Sequence, residues 1–374
     1  MEPIGFSKQK AQDVLEKQDI DVLVVSSPIN VFYTTGLPTL HVAPNPILYV
    51  LYNQFPSLSL VKRNGEESLI TWITYNSVDK FSWVKDVSGI ASPKAAMVEV
   101  SDRIEKWGLS EKKIAYESLM PSYQSEFLRK RFPNANFING DQALLDMRLI
   151  KSEEEVRRIK KSTEISEKAI EAMIDAAREG LTDIELLQIA RRTIVDEGAE
   201  GWDHLTMNLG PSDPEAPGIG ISMKSGDLNR FDIGTIWKGY VSDISREMVI
   251  GQIPEGAEET MDRMIKVQEF CANNIRPGVN MKEVYTNANN FHKSLTKRGR
   301  CFITAHSIGL EVEEIHLFSP MRKLERLFEM NMVFDIEVWQ NFKNQGLIGI
   351  EDCYRITKSG CERLSSLDKN IFVK

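Results

Sequence analysis

Metal-binding residue types recur inside apolar, strand-like segments in the C-terminal part of the chain. An ionised carboxylate in such a segment is costly unless it is paired with a cation. Four carboxylates and one imidazole form an oxygen-rich set that suits two divalent cations with a water between them, and such cations activate water at neutral pH. The five residues are Asp232, Asp243, His306, Glu337 and Glu351. Taken singly, each acid is explained as a solvated or salt-bridged strand residue, so the prediction of a metal site depends on the whole set.

The two aspartates lie in FDIGTIWKGYVSDISREMVIG, in apolar runs on either side of a polar turn. A hairpin whose turn is centred between Trp237 and Lys238 puts Asp232 directly opposite Asp243, with Cβ atoms about 5 Å apart. Carboxylates this close repel each other and favour a cation between them. The segment therefore predicts a hairpin that presents both aspartates on one face.

A second facing pair and a histidine complete the set. Glu337 and Glu351 are predicted to lie opposite each other across the polar loop at residues 341–346. His306 follows an apolar strand in TAHSIGLEVEEIH and precedes a glycine-containing bend. A lone histidine is more often structural, so its assignment depends on the acids, and a neutral imidazole would complete a metal's ligand shell.

The pattern of helices and strands predicts two domains, residues 1–145 and residues 146–374. The first part alternates helical and strand patterns, which predicts a small α/β domain. The composition changes abruptly at Lys151. Ser152 is a predicted helix N-cap and Gly180 a stop. Helices are predicted at residues 6–17, 95–107, 151–180, 183–197, 258–275 and 281–297. Strands are predicted at residues 20–26, 47–51, 58–61, 68–72, 113–116, 230–236, 241–251, 332–339 and 348–357.

Composition excludes several kinds of partner and location. The chain has 374 residues, which is enough for two hydrophobic cores, and a net charge of -8, which argues against a nucleic-acid or anionic membrane surface. A small molecule or short peptide is the expected partner. Four cysteines without a CxxC pair are too few for a disulfide scaffold. The polar start MEPIGFSKQKAQ and the lack of a long apolar run predict a cytoplasmic protein that neither enters nor crosses a membrane.

The chain resembles the family of methionine aminopeptidase, prolidase, Xaa-Pro aminopeptidase and creatinase. The segments that carry the resemblance are NVFYTTGLP, MRLIKSEEEVRRIKKSTEISEKA, FDIGTIWKGYVSDISREMVIG, AHSIGLEVEE, NMVFDIEV and GIEDCYRITKSG. The first resembles an early strand and turn of the family's amino-terminal domain. The resemblance implies an α/β (α+β) fold in which a creatinase-like domain precedes a pita-bread domain, with a curved, mainly antiparallel sheet covered by helices.

The resemblance also implies roles for the five residues. Asp232 would bind one metal ion, and Asp243 and Glu351 would bridge two. His306 and Glu337 would complete the shell of the other ion, and Glu337 is also a candidate catalytic residue. The two divalent ions implied are manganese, cobalt, zinc or iron.

The chain departs from the family's peptidases at two histidine positions. Glu313 stands where a second histidine is usual, and Pro217-Gly218 stands where an upstream loop carries another. In the family, those histidines contact the scissile peptide and stabilise its oxyanion, which requires a hydrogen-bond donor. Glu313, a candidate catalytic and substrate-binding residue, is either protonated by burial or binds a positive substrate group. The neighbouring Glu311 and Glu314 are predicted to be loop charges that face water.

Other residues are candidates for binding substrate. His204 is expected either to supply a missing imidazole or to line a pocket wall with Trp202. The resemblance further implies a homodimer in which one subunit's amino-terminal domain closes the other's site. His41, with Phe32 and Tyr33, is a candidate for that contact and for substrate binding.

Three functions follow from these features. The first is a two-metal hydrolase in which a metal-bridging hydroxide attacks the C–N bond before proline. The second is hydrolysis or lysis of a small cationic metabolite, as in creatinase and ectoine-hydrolase relatives, which the missing histidines favour. The third is a non-catalytic binding protein, an outcome that usually erodes metal ligands.

Overall fold

The computed structural model describes residues 2–38, 54–73, 78–212, 218–297, 299–342 and 344–374. The chain divides into two compact units, Met1–Leu149 and Ile150–Lys374. The helices are α1 (Lys8–Lys17), α2 (Pro28–Thr35), α3 (Val78–Phe81), α4 (Pro93–Lys106), α5 (Ser122–Arg131), α6 (Asp141–Leu149), α7 (Glu153–Ala176), α8 (Asp183–Asp196), α9 (Ala257–Asn274) and α10 (Met281–Leu295). The strands are β1 (Val22–Val25), β2 (Leu58–Lys62), β3 (Glu67–Trp72), β4 (Val87–Ile90), β5 (Lys113–Tyr116), β6 (Asn136–Asn139), β7 (Gly201–Leu209), β8 (Leu228–Trp237), β9 (Tyr240–Val241), β10 (Ile244–Val249), β11 (Phe302–Ser307), β12 (Ile315–Phe318), β13 (Val333–Asn341), β14 (Leu347–Ile356), β15 (Cys361–Arg363) and β16 (Phe372–Val373).

The amino-terminal unit is built on a six-stranded mixed sheet in the order β4-β3-β2-β1-β5-β6. All four residues of β1 are buried, because this central strand pairs antiparallel with β2 and parallel with β5. The predicted Asn64-Gly65 turn joins β2 to β3, with Gly65 at a φ of 76° that favours glycine. The strand predicted at residues 47–51 and the candidate His41 lie outside the described residues.

The prediction of a strand and turn in NVFYTTGLP is wrong, because this segment forms most of α2. Ser27 caps the helix through its side chain, Pro28 occupies the first turn, and Gly36 ends it at a φ of 75°. Proline at the start and glycine just past the end are typical of a helix. The family resemblance implied a strand in this segment, but the residues at its two ends favour a helix.

The carboxy-terminal unit is built on a ten-stranded sheet with the main order β12-β11-β13-β14-β10-β8-β7. Neighbours along this order are antiparallel. Helix α7 packs against β8 and α8 against β7, and α9 packs against β13 and β14. Alternation along β8 buries Phe231 and Ile233 in the helix-facing core, so Arg230 and Asp232 lie on the opposite face of the sheet.

The end of helix α7 and the presence of strand β7 differ from the sequence prediction. Helix α7 ends at Ala176, before Gly180, which adopts a φ of 83° in the following turn. Strand β7 was not predicted, because polar residues interrupt its apolar pattern. It pairs with β8 at the end of the main strand order, where a strand does not need two apolar faces.

Replacing Thr182 with alanine is expected to lower the free energy of unfolding by about 1 kcal/mol. The Thr182 hydroxyl accepts from the backbone N–H of Glu185, and the Glu185 carboxylate accepts from the backbone N–H of Thr182, which forms a capping box at the start of α8. Urea titration measures the change. Thr193→Ala in the same helix is the control, because the Thr193 hydroxyl donates to the Ile189 carbonyl within the helix and caps neither end. Equal losses of unfolding free energy in both variants would contradict a capping effect.

Candidate metal centre

The aspartate hairpin is present, but its predicted register is wrong by two residues. The turn consists of Lys238 and Gly239 at φ angles of 50° and 81°, as a two-residue type I′ turn requires. Trp237 therefore pairs with Tyr240, and Asp232 lies opposite Ser245. Side chains alternate with a period of two, so a shift of two residues leaves Asp243 on the same face as Asp232.

Asp243 lies between β9 and β10, where the chain leaves the strand conformation for two residues. Asp243 is buried, with 6% of its surface exposed to solvent. The carboxylate remains close to Asp232, and His204 of β7 joins them, with ligand atoms that all lie within 4.8 Å of one another. His204 Nε2 is 3.3 Å from Asp232 Oδ1 and 3.2 Å from Asp243 Oδ1.

The second pair of acids has the register predicted from the sequence. Glu337 of β13 lies directly opposite Glu351 of β14. The ligand atoms of these two glutamates and Asp232 also lie within 4.8 Å of one another. The two hairpins share the sheet, because β14 pairs with β10.

His306 of β11 reaches the same place. Its Nε2 is 3.2 Å from Glu351 Oε1 and 3.9 Å from Asp243 Oδ2. Its Nδ1 donates to the Val312 carbonyl at 3.0 Å, which fixes the ring and leaves Nε2 facing the acids. The structure thus brings together all five side chains predicted from the sequence.

These side chains form three overlapping triads, each with ligand atoms close enough to hold one metal ion. The first triad is His204, Asp232 and Asp243; the second is Asp243, His306 and Glu351; the third is Asp232, Glu337 and Glu351. Asp243 Oδ1 is buried without a hydrogen bond of good geometry, which is unfavourable unless a cation is bound. Carboxylates with imidazole are a donor set for divalent transition metals, so these residues fit such ions.

The electrostatics of the site favour added positive charge. Burial raises the pKa of Asp243 and of Glu337. It raises the pKa of Glu351 well above its usual range, and repulsion from Asp243 and Glu337 adds to this. Burial also opposes ionisation of Asp232, but Arg230 and His204 outweigh it and lower the pKa of Asp232 to about 2.

Two residues that contact the acids were missed or assigned elsewhere by sequence reasoning. The Arg230 guanidinium lies 2.7 Å from Glu337 and 3.2 Å from Asp232. Its position two residues before Asp232 in a strand was a usable signal, since such residues share a face. His204 was expected either to supply a missing imidazole or to line a pocket wall, and the structure places it in contact with both aspartates. Trp202 packs instead against the helix-facing core, beneath the Arg191 guanidinium of α8.

The loop after His306 differs in part from expectation. Glu313 is half-exposed, and its carboxylate lies 3.2 Å from Nε2 of His316 on β12. Glu314 does not face water as predicted: it is buried in an ion pair with Lys151 at 2.7 Å. The glutamate is drawn inward because Lys151 is also buried and needs a partner. Gly218 has a φ of 89°, and a Cβ there would meet Leu187.

His316 is a further imidazole that the sequence reasoning did not use. Its strand pairs with β11, in register opposite His306. The two ring centroids are 6.1 Å apart. Ten residues separate the two histidines in the sequence, so only the pairing of β11 with β12 brings the rings together.

Among the helices of the described residues, none has the length and apolar character needed to span a membrane.

Comparisons with known proteins identify the family. The model of metallopeptidase family M24 matches residues 157–358, more than half of the chain, and that of the creatinase/prolidase N-terminal domain matches residues 8–150. A Xaa-Pro dipeptidase of Pyrococcus horikoshii is 27% identical over 99% of this chain and 100% of its own length.

Solved structures show the same fold over nearly the whole chain. The crystal structure of the prolidase from Pyrococcus horikoshii OT3 gives a TM-score of 0.80 at 24% identity, covering 96% of this chain and 98% of that one. A Xaa-Pro dipeptidase from Bacillus anthracis gives 0.81 at 20% identity, covering 98% and 99%. The fold class and the family resemblance predicted from the sequence are confirmed. The chain is therefore a metallohydrolase that belongs to metallopeptidase family M24, in which a creatinase/prolidase N-terminal domain precedes the pita-bread domain.

Proposed function

We propose that the protein hydrolyses the peptide bond before proline in a dipeptide or short peptide, with two divalent cations. The observation that carries this proposal is the convergence of three overlapping triads on one face of the β8–β10 and β13–β14 hairpins. The name of the Pyrococcus horikoshii relative, a Xaa-Pro dipeptidase, supports the substrate. We propose that residues 1–145 form the amino-terminal domain and that residues 146–374 form the metallohydrolase domain.

The residues that would hold the cations lie among the three triads, which contain the five predicted from the sequence, Asp232, Asp243, His306, Glu337 and Glu351, together with His204. Manganese, cobalt, zinc or iron would activate water and polarise the substrate carbonyl. The protein itself holds the metal-binding side chains in position. The bond from His306 Nδ1 to Val312 O sets that ring, and the hairpin pairing aligns Glu337 with Glu351.

His316 supplies an imidazole near the metal centre despite the residue changes at the family's histidine positions. The Glu313 carboxylate lies 3.2 Å from Nε2 of His316 and so orients the imidazole ring. We propose that His316 faces the substrate and that Glu313, which lies against Nε2, sets the orientation of the ring.

The test compares peptides and cationic metabolites with one preparation. The chelator-treated protein receives manganese or cobalt and then an Ala-Pro dipeptide, a matched Ala-Gly dipeptide, or an amidine or guanidinium compound. Proline release that depends on added metal, with little cleavage of Ala-Gly, is expected. Metal-dependent release of amine without proline release would favour the second function, for which the half-exposed acid Glu313 is the supporting observation. A purified protein that retains no transition metal would favour the third, a binding protein.

Replacing Glu313 with glutamine should leave both metals bound but lower kcat/KM for the dipeptide by roughly tenfold. The amide keeps the shape of the side chain but removes the charge that orients His316. Steady-state kinetics and elemental analysis measure the two effects. The control is Glu311→Gln in the same loop, which should behave like the native protein; unchanged kinetics in Glu313→Gln would contradict the proposed role.

We also propose a cytoplasmic homodimer that binds neither nucleic acid nor membranes. The four cysteines are free thiols, which fits a reducing compartment. The homodimer follows from the family resemblance, and sedimentation equilibrium measures it.

A further inference from the structure

Arg230 places a permanent positive charge inside the acidic centre. Its Nη2 lies 2.7 Å from Glu337 Oε1, 3.2 Å from Asp232 Oδ2 and 3.9 Å from Glu351 Oε2. It also donates to Ser245 Oγ at 2.9 Å, and the side chain is 5% exposed. These three acids are the whole third triad. The guanidinium is therefore a cation already bound where that triad would hold a metal, and a buried arginine cannot give up its partners cheaply.

His204 has the geometry of a ligand, on the other side of the centre. Its Nδ1 faces Asp203 Oδ2 at 3.2 Å, and its Nε2 faces Asp232 and Asp243. His306 is held in the same way, with Nδ1 on a carbonyl and Nε2 towards two acids. An acceptor on Nδ1 is how proteins orient a metal-binding imidazole.

The His204 ring occupies space that only a glycine at position 234 leaves open. A Cβ at Gly234 would lie 2.4 Å from His204 Cε1. Glycine at this position of β8 allows the ring to lie across the strand and reach the aspartates. The buried Asp243 Oδ1, which lacks a hydrogen bond of good geometry, is 3.2 Å from His204 Nε2.

We infer that the two cations bind in the first and second triads, with His204 as a metal ligand, Asp243 shared by both ions, and Glu337 held by Arg230 instead of by a metal. Glu337 is then a positioning residue, which acts through Arg230. This inference rests on the proposed two-metal function, but it concerns only which atoms bind the ions. Each cation has one imidazole in this arrangement.

The cobalt-substituted protein tests the number of ligating histidines without any substrate. Protons on ligating imidazoles are strongly shifted in proton NMR, and their exchange in deuterium oxide identifies the Nδ1–H groups. The native protein should show two such signals, from His204 and His306. His204→Gln should lose one signal and retain about one cobalt per chain on dialysis. His316→Gln is the matched control, because its ring is close to His306 but in none of the triads, and it should keep both signals. One signal in the native protein would overturn the inference.

Glu337→Gln separates a ligand from a positioning residue. Equilibrium dialysis against cobalt should find two ions bound, with affinity weakened by at most about 10- to 100-fold. In Arg230→Met, Glu337 is released and becomes available to a metal, so adding Glu337→Gln to that variant should weaken binding by more than it does alone. Loss of one cobalt from Glu337→Gln, with both retained in His204→Gln, would overturn the inference.

The proposed function and this inference fail separately. A native protein with two cobalt ions and two imidazole signals that cleaves no proline peptide would refute the function and support the inference. A protein that cleaves Ala-Pro but shows one imidazole signal would do the reverse.

Discussion

Replacing Asp243 with alanine is expected to remove at least one of the two cations and to lower turnover of a Xaa-Pro dipeptide by roughly 10³-fold or more, about 4 kcal/mol of transition-state stabilisation. Asp243 belongs to both triads that contain a histidine. Removing it withdraws a ligand from each ion and leaves His204 and His306 without the carboxylate between them. Glu337 does not replace it, because its carboxylate is engaged by Arg230 at 2.7 Å.

Elemental analysis after dialysis, together with kcat at saturating metal, measures both effects. Cys353→Ser is the control, since Cys353 is buried opposite Asp335 on the same pair of strands but belongs to none of the triads. Its metal content should stay close to native. Full occupancy of both ions in Asp243→Ala would contradict the shared role of this carboxylate.

Replacing Arg246 with methionine is expected to lower the free energy of unfolding by about 3–5 kcal/mol. Its ion pair with Asp352, at 2.6 Å, is inaccessible to solvent on both sides. The guanidinium also donates to four backbone carbonyls, those of Ser245, Glu351, Leu367 and Asp368. The substitution removes the nearest cation from the buried Asp352, leaving Arg363 and Lys369 at 4.0 Å, and it removes a hydrogen bond to the strand that carries Glu351.

Urea titration followed by circular dichroism measures the loss. A second variant, Arg246→Met with Asp352→Asn, should recover part of it, since removing both charges costs less than breaking the pair. Arg157→Met is the surface comparison: its exposed pair with Glu154 should leave the urea midpoint nearly unchanged. A loss below about 1 kcal/mol in Arg246→Met would show that the buried pair does not stabilise this sheet.

The sequence was sufficient to predict the four acids and the histidine that converge, because each interrupts an apolar strand pattern. Strand alternation then gave the correct face even where the turn was misplaced. The error of two residues at the aspartate hairpin came from centring the turn before Lys238, whereas Gly239 favours the two positive φ angles of a type I′ turn at Lys238-Gly239. The glutamate hairpin had no such error.

Other features depend on contacts between distant parts of the chain. His204 meets Asp232 only because β7 pairs with β8, and a polar β7 gave no strand signal. The role of Glu314 depends on Lys151, far away in the sequence. His316 approaches His306 across the β11–β12 pairing. Helix α2 was misassigned although its local signals, Ser27-Pro28 and Gly36, were present.

The number of divalent cations per chain is the most direct test of the metal centre. The native protein is dialysed against manganese or cobalt, freed of unbound metal, and measured by elemental analysis alongside proline release from Ala-Pro. We expect two cations per chain at saturation, with activity that disappears on chelation and returns on reloading. A fully folded protein that binds no transition metal and is unaffected by chelator would contradict the convergence of these side chains on a metal centre.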